Sequence, residues 1–177
     1  LHAARQLARA DASVSHWNEG IIQAEAIASA VCMAMTDAPL HEVICAALAA
    51  IPQTSWTFRV VDECNVAMAS CADPEEGVRR LWSVSDTGVP ASHGPGACAL
   101  ALTALRHGDS DFRRSVLLAV NAGRDCDSSA AQVGAIVGAM VGYDALPGEW
   151  VERIGPLPGT HLTGMAGVNL SDVAEEL

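Results

Sequence analysis

Apolar side chains recur every three or four positions along most of this chain, and no stretch alternates apolar with polar residues for the length of a strand. Val60, Val61, Cys64, Met68 and Cys71 show the pattern. It draws one apolar stripe down a 3.6-residue helix and gives a pleated strand no consistent face. Half of the residues are hydrophobic, yet only 4% are aromatic, and alanine is abundant. Small side chains favour helices that pack closely. The reading is therefore all-α. Helices are expected over 1–10, over 18 or 19 to 35, from Pro39 in a first turn to near Ile51, and over 57–72 and 74–85. Others are expected over 96–107 (stopped by Gly108), 111–121, 128–142 and 147–154, with a short terminal helix capped by Ser171. Residues 87–95 and 155–160 read as irregular, because glycine, proline and serine crowd there. A chain of 177 residues can bury one core.

One run departs from plain helix packing: Asn121-Ala-Gly-Arg-Asp-Cys-Asp-Ser-Ser-Ala-Ala-Gln-Val-Gly134 and onward to Gly142. Asp125 and Asp127 stand one residue apart, and the hydroxyl of Ser128 follows at once. Acidic and hydroxyl residues before an apolar run are ordinary helix N-cap signals. They are also a set of hard oxygen ligands, which suits Mg²⁺ or Mn²⁺ better than zinc. A cap needs one acceptor, and here there are three within four residues. The preceding segment, 115–122, is apolar, so a second carboxylate there would be costly without a cation or donor to meet it. Glycines at 134, 138 and 142 suggest a helix lying close against a neighbour.

The pattern Asn-x-Gly-x-Asp-x-Asp-Ser, then Ala-Ala, then Gly-Ala-Ile-x-Gly-Ala-x-x-Gly, then Leu146-Pro147-x-x-Trp150, resembles the ADP-ribosylglycohydrolase family. That family includes the dinitrogenase reductase activating glycohydrolases and the J1-crystallin-like proteins. A second block, Ser13-Val-Ser-His16-Trp-Asn-Glu-Gly20-Ile-Ile-Gln-Ala24, is similar to the family's Ser/Thr-His segment, which leads through a glycine into an apolar helix. A third, Gly108-Asp-Ser-Asp-Phe112 with the helix after it, resembles the segment that feeds the acidic motif. The middle of the chain, 36–93, carries little of the likeness. The family has a Thr/Ser-Asp-Asp type motif upstream, and none appears here. With no initiator Met and residues 1–10 reading as the tail of a helix, the resemblance implies that 1–177 is the C-terminal portion of a single ADP-ribosylglycohydrolase-like domain.

The resemblance also implies roles. Asp125, Asp127 and Ser128 would be metal ligands, on one side of a two-metal Mg²⁺ or Mn²⁺ site. Paired ions of that kind orient substrate and activate water. His16 and Gly20 would lie beside the ADP-ribose pocket as substrate-binding residues. The implied activity is hydrolysis of the N- or O-glycosidic bond between ADP-ribose and a protein side chain or small molecule. The catalytic acid or base is unassigned. Two other classes stay open: a non-catalytic ADP-ribose or nucleotide-binding module, and a crystallin-like structural protein. Here Cys126 stands where the family has Thr, Ser128 also replaces Thr, and Arg124 replaces Gly. Arg124 can meet a phosphate or pair with a carboxylate. Glu19 reads as either a pocket acid or a first-turn helix charge.

The formal net charge is −11, with ten arginines and no lysine. Such a chain without a basic cluster argues against nucleic acid as a partner. Six cysteines form no C-x-x-C pair and no zinc-type cluster, so they read as mostly buried thiols of a reducing compartment. No signal peptide is visible, and the longest apolar stretch, 130–143, contains Gln132 and is too short to span a bilayer. A cytoplasmic location without membrane contact is the expectation.

Overall fold

The computed structural model describes residues 1–73, 76–77, 80–81, 93–158 and 164–176. They fall into two compact units, Leu1–Ala145 and Leu146–Leu177. Among the described residues the regular structure is helical, with no strand, as the periodicity requires. The first unit holds α1 (His2–Ala12), α2 (Glu19–Ala34), α3 (Leu40–Leu48) and α4 (Trp56–Ala69). It continues with α5 (Gly94–Gly108), α6 (Phe112–Asn121), α7 (Cys126–Val141) and a 3₁₀ turn at Tyr143–Ala145. The second unit holds two short helices, α8 (Gly148–Val151) and α9 (Leu170–Glu175).

In the first unit α5 is the central element. From Pro95 to Leu105 all of its residues are buried, so it carries no polar face. A helix buried all round needs neighbours on every side, and α2, α3, α4, α6 and α7 all pack against it. The core is built of alanines at helix crossings, such as Ala26, Ala30, Ala99 and Ala101, and filled by Leu100, Leu105, Val133, Ile136 and Val137. Helix α1 lies on α2 through polar ties. Arg9 donates from Nε and Nη2 to Glu25 at 2.8 and 2.9 Å, and Arg5 Nε donates to Ser29 Oγ at 3.1 Å.

Several boundaries differ from the sequence expectation. Helix α5 starts at Gly94, ahead of the expected Gly96, with Pro95 in its first turn, where a missing N–H costs nothing. Gly108 does not stop it; Gly108 is the last helical residue, and Asp109 takes the left-handed conformation at φ 54°. Gly108 is glycine for another reason: a Cβ there would collide with Ser115 Oγ and lie 2.7 Å from Ser115 Cα. Pro39 is the N-cap of α3 rather than a first-turn residue. Asn169, not Ser171, is the N-cap of α9. Gly134 and Gly138 give only ordinary contact, their virtual Cβ atoms lying 3.6–4.0 Å from Phe112 and Val116. Gly142 ends α7 with φ 76° and nothing nearby, a turning role rather than a packing one. Most of the expected 74–85 helix, and 87–92 of the expected loop, lie outside the described residues. No described helix is long and apolar enough to cross a membrane.

All six cysteines are free, and they are less uniformly buried than expected. Cys64 and Cys98 are buried; Cys32, Cys71 and Cys126 are half-buried; Cys45 is exposed.

Candidate functional site

The acidic motif is set by a sharp turn. Helix α6 ends at Asn121, and Gly123 (φ 72°) and Arg124 (φ 57°) then take left-handed conformations in succession. The arginine does so at a steric cost that glycine avoids. The turn delivers Asp125 to the N-cap position of α7 with φ −84° and ψ 63°. Its side chain makes no capping hydrogen bond, so capping is not what this carboxylate does. Asp127 is exposed in the first turn of α7, and Ser128 is half-buried beside it. Among the described residues, neither carboxylate has a salt bridge or a side-chain hydrogen bond. Two carboxylates and a hydroxyl at a helix start are a donor set of hard oxygens. Oxygens of this kind are the ligands that Mg²⁺ or Mn²⁺ takes. No three His, Cys, Asp or Glu side chains gather at one point among the described residues, so the set is not a complete cage.

The second block lies at the start of α2. His16 is exposed, and its Nδ1 is 2.8 Å from Ser15 Oγ, which leaves Nε2 for another partner. Gly20 is what admits the ring. A Cβ on Gly20 would stand 3.0 Å from both Cβ and Cδ2 of His16. Asn18, between them, turns the chain into α2 with φ 45°, which L residues seldom adopt.

Glu19 is neither pocket acid nor simple first-turn charge. Its carboxylate reaches across to α4 and accepts from Trp56 N at 3.0 Å, Thr57 N at 2.9 Å and Thr57 Oγ1 at 2.7 Å. Ser55 Oγ accepts from Phe58 N at 3.1 Å, so the first three N–H groups of α4 all have partners. Burial pushes the Glu19 carboxyl upward, but the bonds from Thr57 and Trp56, with the Arg59 charge, outweigh it and hold its pKa below the usual value.

The second block meets the N-terminal end of α5. A Cβ on Gly94 would lie 2.9 Å from Gln23 Oε1, 3.5 Å from Glu19 O and 3.5 Å from Gly20 Cα. Helix α5 therefore abuts the first turn of α2. His93, its N-cap residue, lies against Trp56 with ring centroids 5.1 Å apart and planes tilted by 56°, and a Cβ on Gly96 would strike the His93 ring. Burial lowers the His93 pKa, and the charge of Arg124 lowers it further. Arg124 is thus the electrostatic neighbour linking the acidic turn to α5. Sequence reasoning left His93 unassigned and passed over Gly94 and Gly96. The one available signal was Gly94-Pro95-Gly96, small residues at a helix start that admit close backbone approach.

A groove of about 920 Å³ opens beside His16 and Gly20 and runs along α2, past Ala24, Ile27 and Val31. Asp11 and Gln132 are among its few polar groups.

The geometry can be set against known proteins. The ADP-ribosylarginine hydrolase Tri1 of Serratia proteamaculans (strain 568) is 43% identical over 44 residues, 25% of this chain and 12% of that protein. Tri1 of Pseudomonas putida (strain GB-1) is 42% identical over 45 residues, with the same shares. The match thus spans well under two thirds of these relatives. No solved structure gives a significant match. The sequence model of the ADP-ribosylglycohydrolase family, by contrast, matches residues 1–176, taking in the His16 block, the α5 start and the acidic turn alike, and the chain belongs to that family.

Proposed function

We propose that this protein is a metal-dependent hydrolase that cleaves the glycosidic bond joining ADP-ribose to a protein side chain or a small molecule. The observation that carries the reading is the pair of carboxylates, Asp125 and Asp127, without side-chain partners among the described residues, on a strained turn at the start of α7. The left-handed backbone of Arg124, next to these carboxylates, is a strain that folding alone does not repay. Family membership supports the same reading, and both Tri1 relatives carry the name ADP-ribosylarginine hydrolase.

The residues divide the work. Asp125, Asp127 and Ser128 would hold one side of the Mg²⁺ or Mn²⁺ site, with water and substrate oxygens among the other ligands. When bound, the metal supplies Lewis-acid polarisation and orientation of oxygen ligands. Arg124, within the acidic turn, and the N-terminus of α5, which abuts the start of α2, would offset the charge of the pyrophosphate. His16, steadied by Ser15 and seated by Gly20, presents Nε2 to the sugar side of the ligand. Gly94 lets these surfaces close on each other. The substrate would be an ADP-ribosylated protein or a small ADP-ribose conjugate.

The test is a release assay with arginine-, serine- and O-acetyl-linked ADP-ribose, in Mg²⁺, Mn²⁺ or chelator, with calorimetric metal titration alongside. Asp125→Ala and Asp127→Ala should each abolish turnover and weaken metal affinity at least tenfold. His16→Ala should raise KM while leaving metal affinity unchanged. Binding of ADP-ribose without any cleavage would replace this reading with a binding module. Neither binding nor cleavage would leave a structural protein.

A further inference from the structure

The turn that presents His16 is strained, and its own side chains do little to hold it. Asn18 has φ 45° and ψ −108° and makes no side-chain cap hydrogen bond to α2. Trp17 beside it is 84% exposed. Backbone of this kind persists only where the surrounding structure fixes it. Two fasteners do so here. On the α1 side, His16 N donates to Ala12 O at 2.7 Å. On the other side stands Glu19, directly after Asn18 and the first residue of α2. Its carboxylate takes the three bonds from Trp56 and Thr57 at the start of α4. A helix start can find an acceptor in its own first residues, as Phe58 N does in Ser55 Oγ. Here the acceptor comes from 37 residues upstream. The N-terminal end of α4, with its partial positive charge, favours a carboxylate in that place.

We infer that Glu19 is a positioning residue for the ligand site: its clamp on α4 holds the Asn18 turn in the conformation that presents His16. The inference rests on the proposed role of His16 and deepens it. Glu19 touches neither ligand nor metal, and it acts through its neighbours. Its own carbonyl and the Cα of Gly20 lie against Gly94, where a Cβ would be 3.5 Å from each. Gly20 in turn seats the His16 ring, because a Cβ there would stand 3.0 Å from it. Trp56, tied by its N–H to Glu19, leans its ring on His93, the N-cap of α5. One carboxylate therefore fixes the start of α2 to α4 directly, and to α5 through Trp56 and His93. Without it the first turn of α2 is free to unwind, Asn18 relaxes to an ordinary backbone conformation, and His16 leaves its seat on Gly20. Asp125, Asp127 and Ser128 belong to a different segment, so the clamp sets the ligand side of the site and not the metal side.

The test compares wild type, Glu19→Gln, Thr57→Val, His16→Ala and the Glu19→Gln/His16→Ala double variant in the full-length protein. Calorimetry reads Kd for free ADP-ribose and for Mn²⁺, and initial rates on arginine-linked ADP-ribose read KM and kcat. Glu19→Gln keeps the shape but turns one acceptor oxygen into an amide that faces N–H donors. It should raise Kd for ADP-ribose and KM about tenfold, with kcat and Mn²⁺ affinity within about twofold of wild type. Thr57→Val removes one bond from the other side of the clamp and should raise the same two constants about threefold. In the His16→Ala background, Glu19→Gln should add less than about twofold, because the residue it positions is gone. Unchanged Kd and KM in Glu19→Gln, whatever its melting temperature, overturn the inference, because the clamp is then structural only. Effects that multiply in the double variant overturn it too, since Glu19 would not act through His16. So does a parallel loss of Mn²⁺ affinity, the mark of a generally loosened fold. If Glu19→Gln does not fold, Thr57→Val, alone and with His16→Ala, makes the same comparison. His16→Ala that binds ADP-ribose as tightly as wild type also overturns the inference. Wild type that binds ADP-ribose without cleaving the conjugate overturns only the hydrolase reading, and the Kd values still decide Glu19. Wild type that binds no ADP-ribose overturns both.

Discussion

Removing the Glu19 carboxylate should unlock α4 from α2. In Glu19→Ala three hydrogen bonds to an ionised acceptor disappear together, those from Trp56 N, Thr57 N and Thr57 Oγ1. Thr57 is fully buried, so its amide and hydroxyl cannot turn to water instead. A lost N-cap costs about 1 kcal/mol and a stranded buried donor about 1–3 kcal/mol, and the losses overlap because one helix end is involved. The expected destabilisation is about 3 kcal/mol, or roughly 6–12 °C in Tm for a chain of this size. Glu19→Gln keeps an acceptor without the charge and should lose about 1 kcal/mol. The pH dependence has a definite sign. The folded pKa lies below the ordinary value of 4.5, so the carboxylate's contribution is complete above pH 4.5 and is lost as pH falls through the lower, folded value. Urea denaturation of wild type and Glu19→Ala at pH 7 and at steps from pH 5 to 3 measures both effects. The gap between the curves should be constant down to about pH 5 and then shrink. A gap below about 1 kcal/mol at pH 7, or one unchanged at pH 3, refutes the reasoning.

Two further outcomes follow from packing and burial. Gly108→Ala should destabilise by about 2–3 kcal/mol, because its Cβ meets the backbone as well as the hydroxyl of Ser115; thermal denaturation checks it, and a loss under about 0.5 kcal/mol would show that α6 moves aside freely. Burial pushes the thiols of Cys64 and Cys98 up to about 12, with Glu63 adding to the effect at Cys64. At pH 8 an alkylating reagent should therefore modify exposed Cys45 while those two stay unlabelled until the protein unfolds, as peptide mass spectrometry would reveal.

Periodicity alone determined that this chain is helical and where most of its helices run, because burial of a one-sided stripe is decided within each segment. Local composition singled out Asp125, Asp127 and Ser128 as candidates, since a cluster of hard oxygen donors is visible within four consecutive residues. Helix ends were less legible. Whether Gly108 or Asp109 turns the chain depends on Ser115, which lies in the next helix and leaves no trace in local composition. Partnerships across the fold were not legible at all. Nothing local says that Glu19 caps a helix 37 residues away, that Gly94 is small because Gln23 and Gly20 press on it, or that Gln132 keeps a buried acceptor without a donor. Local sequence encodes which face of a helix is apolar. Which polar atoms meet across the core, and which are left waiting, is settled only when the helices pack.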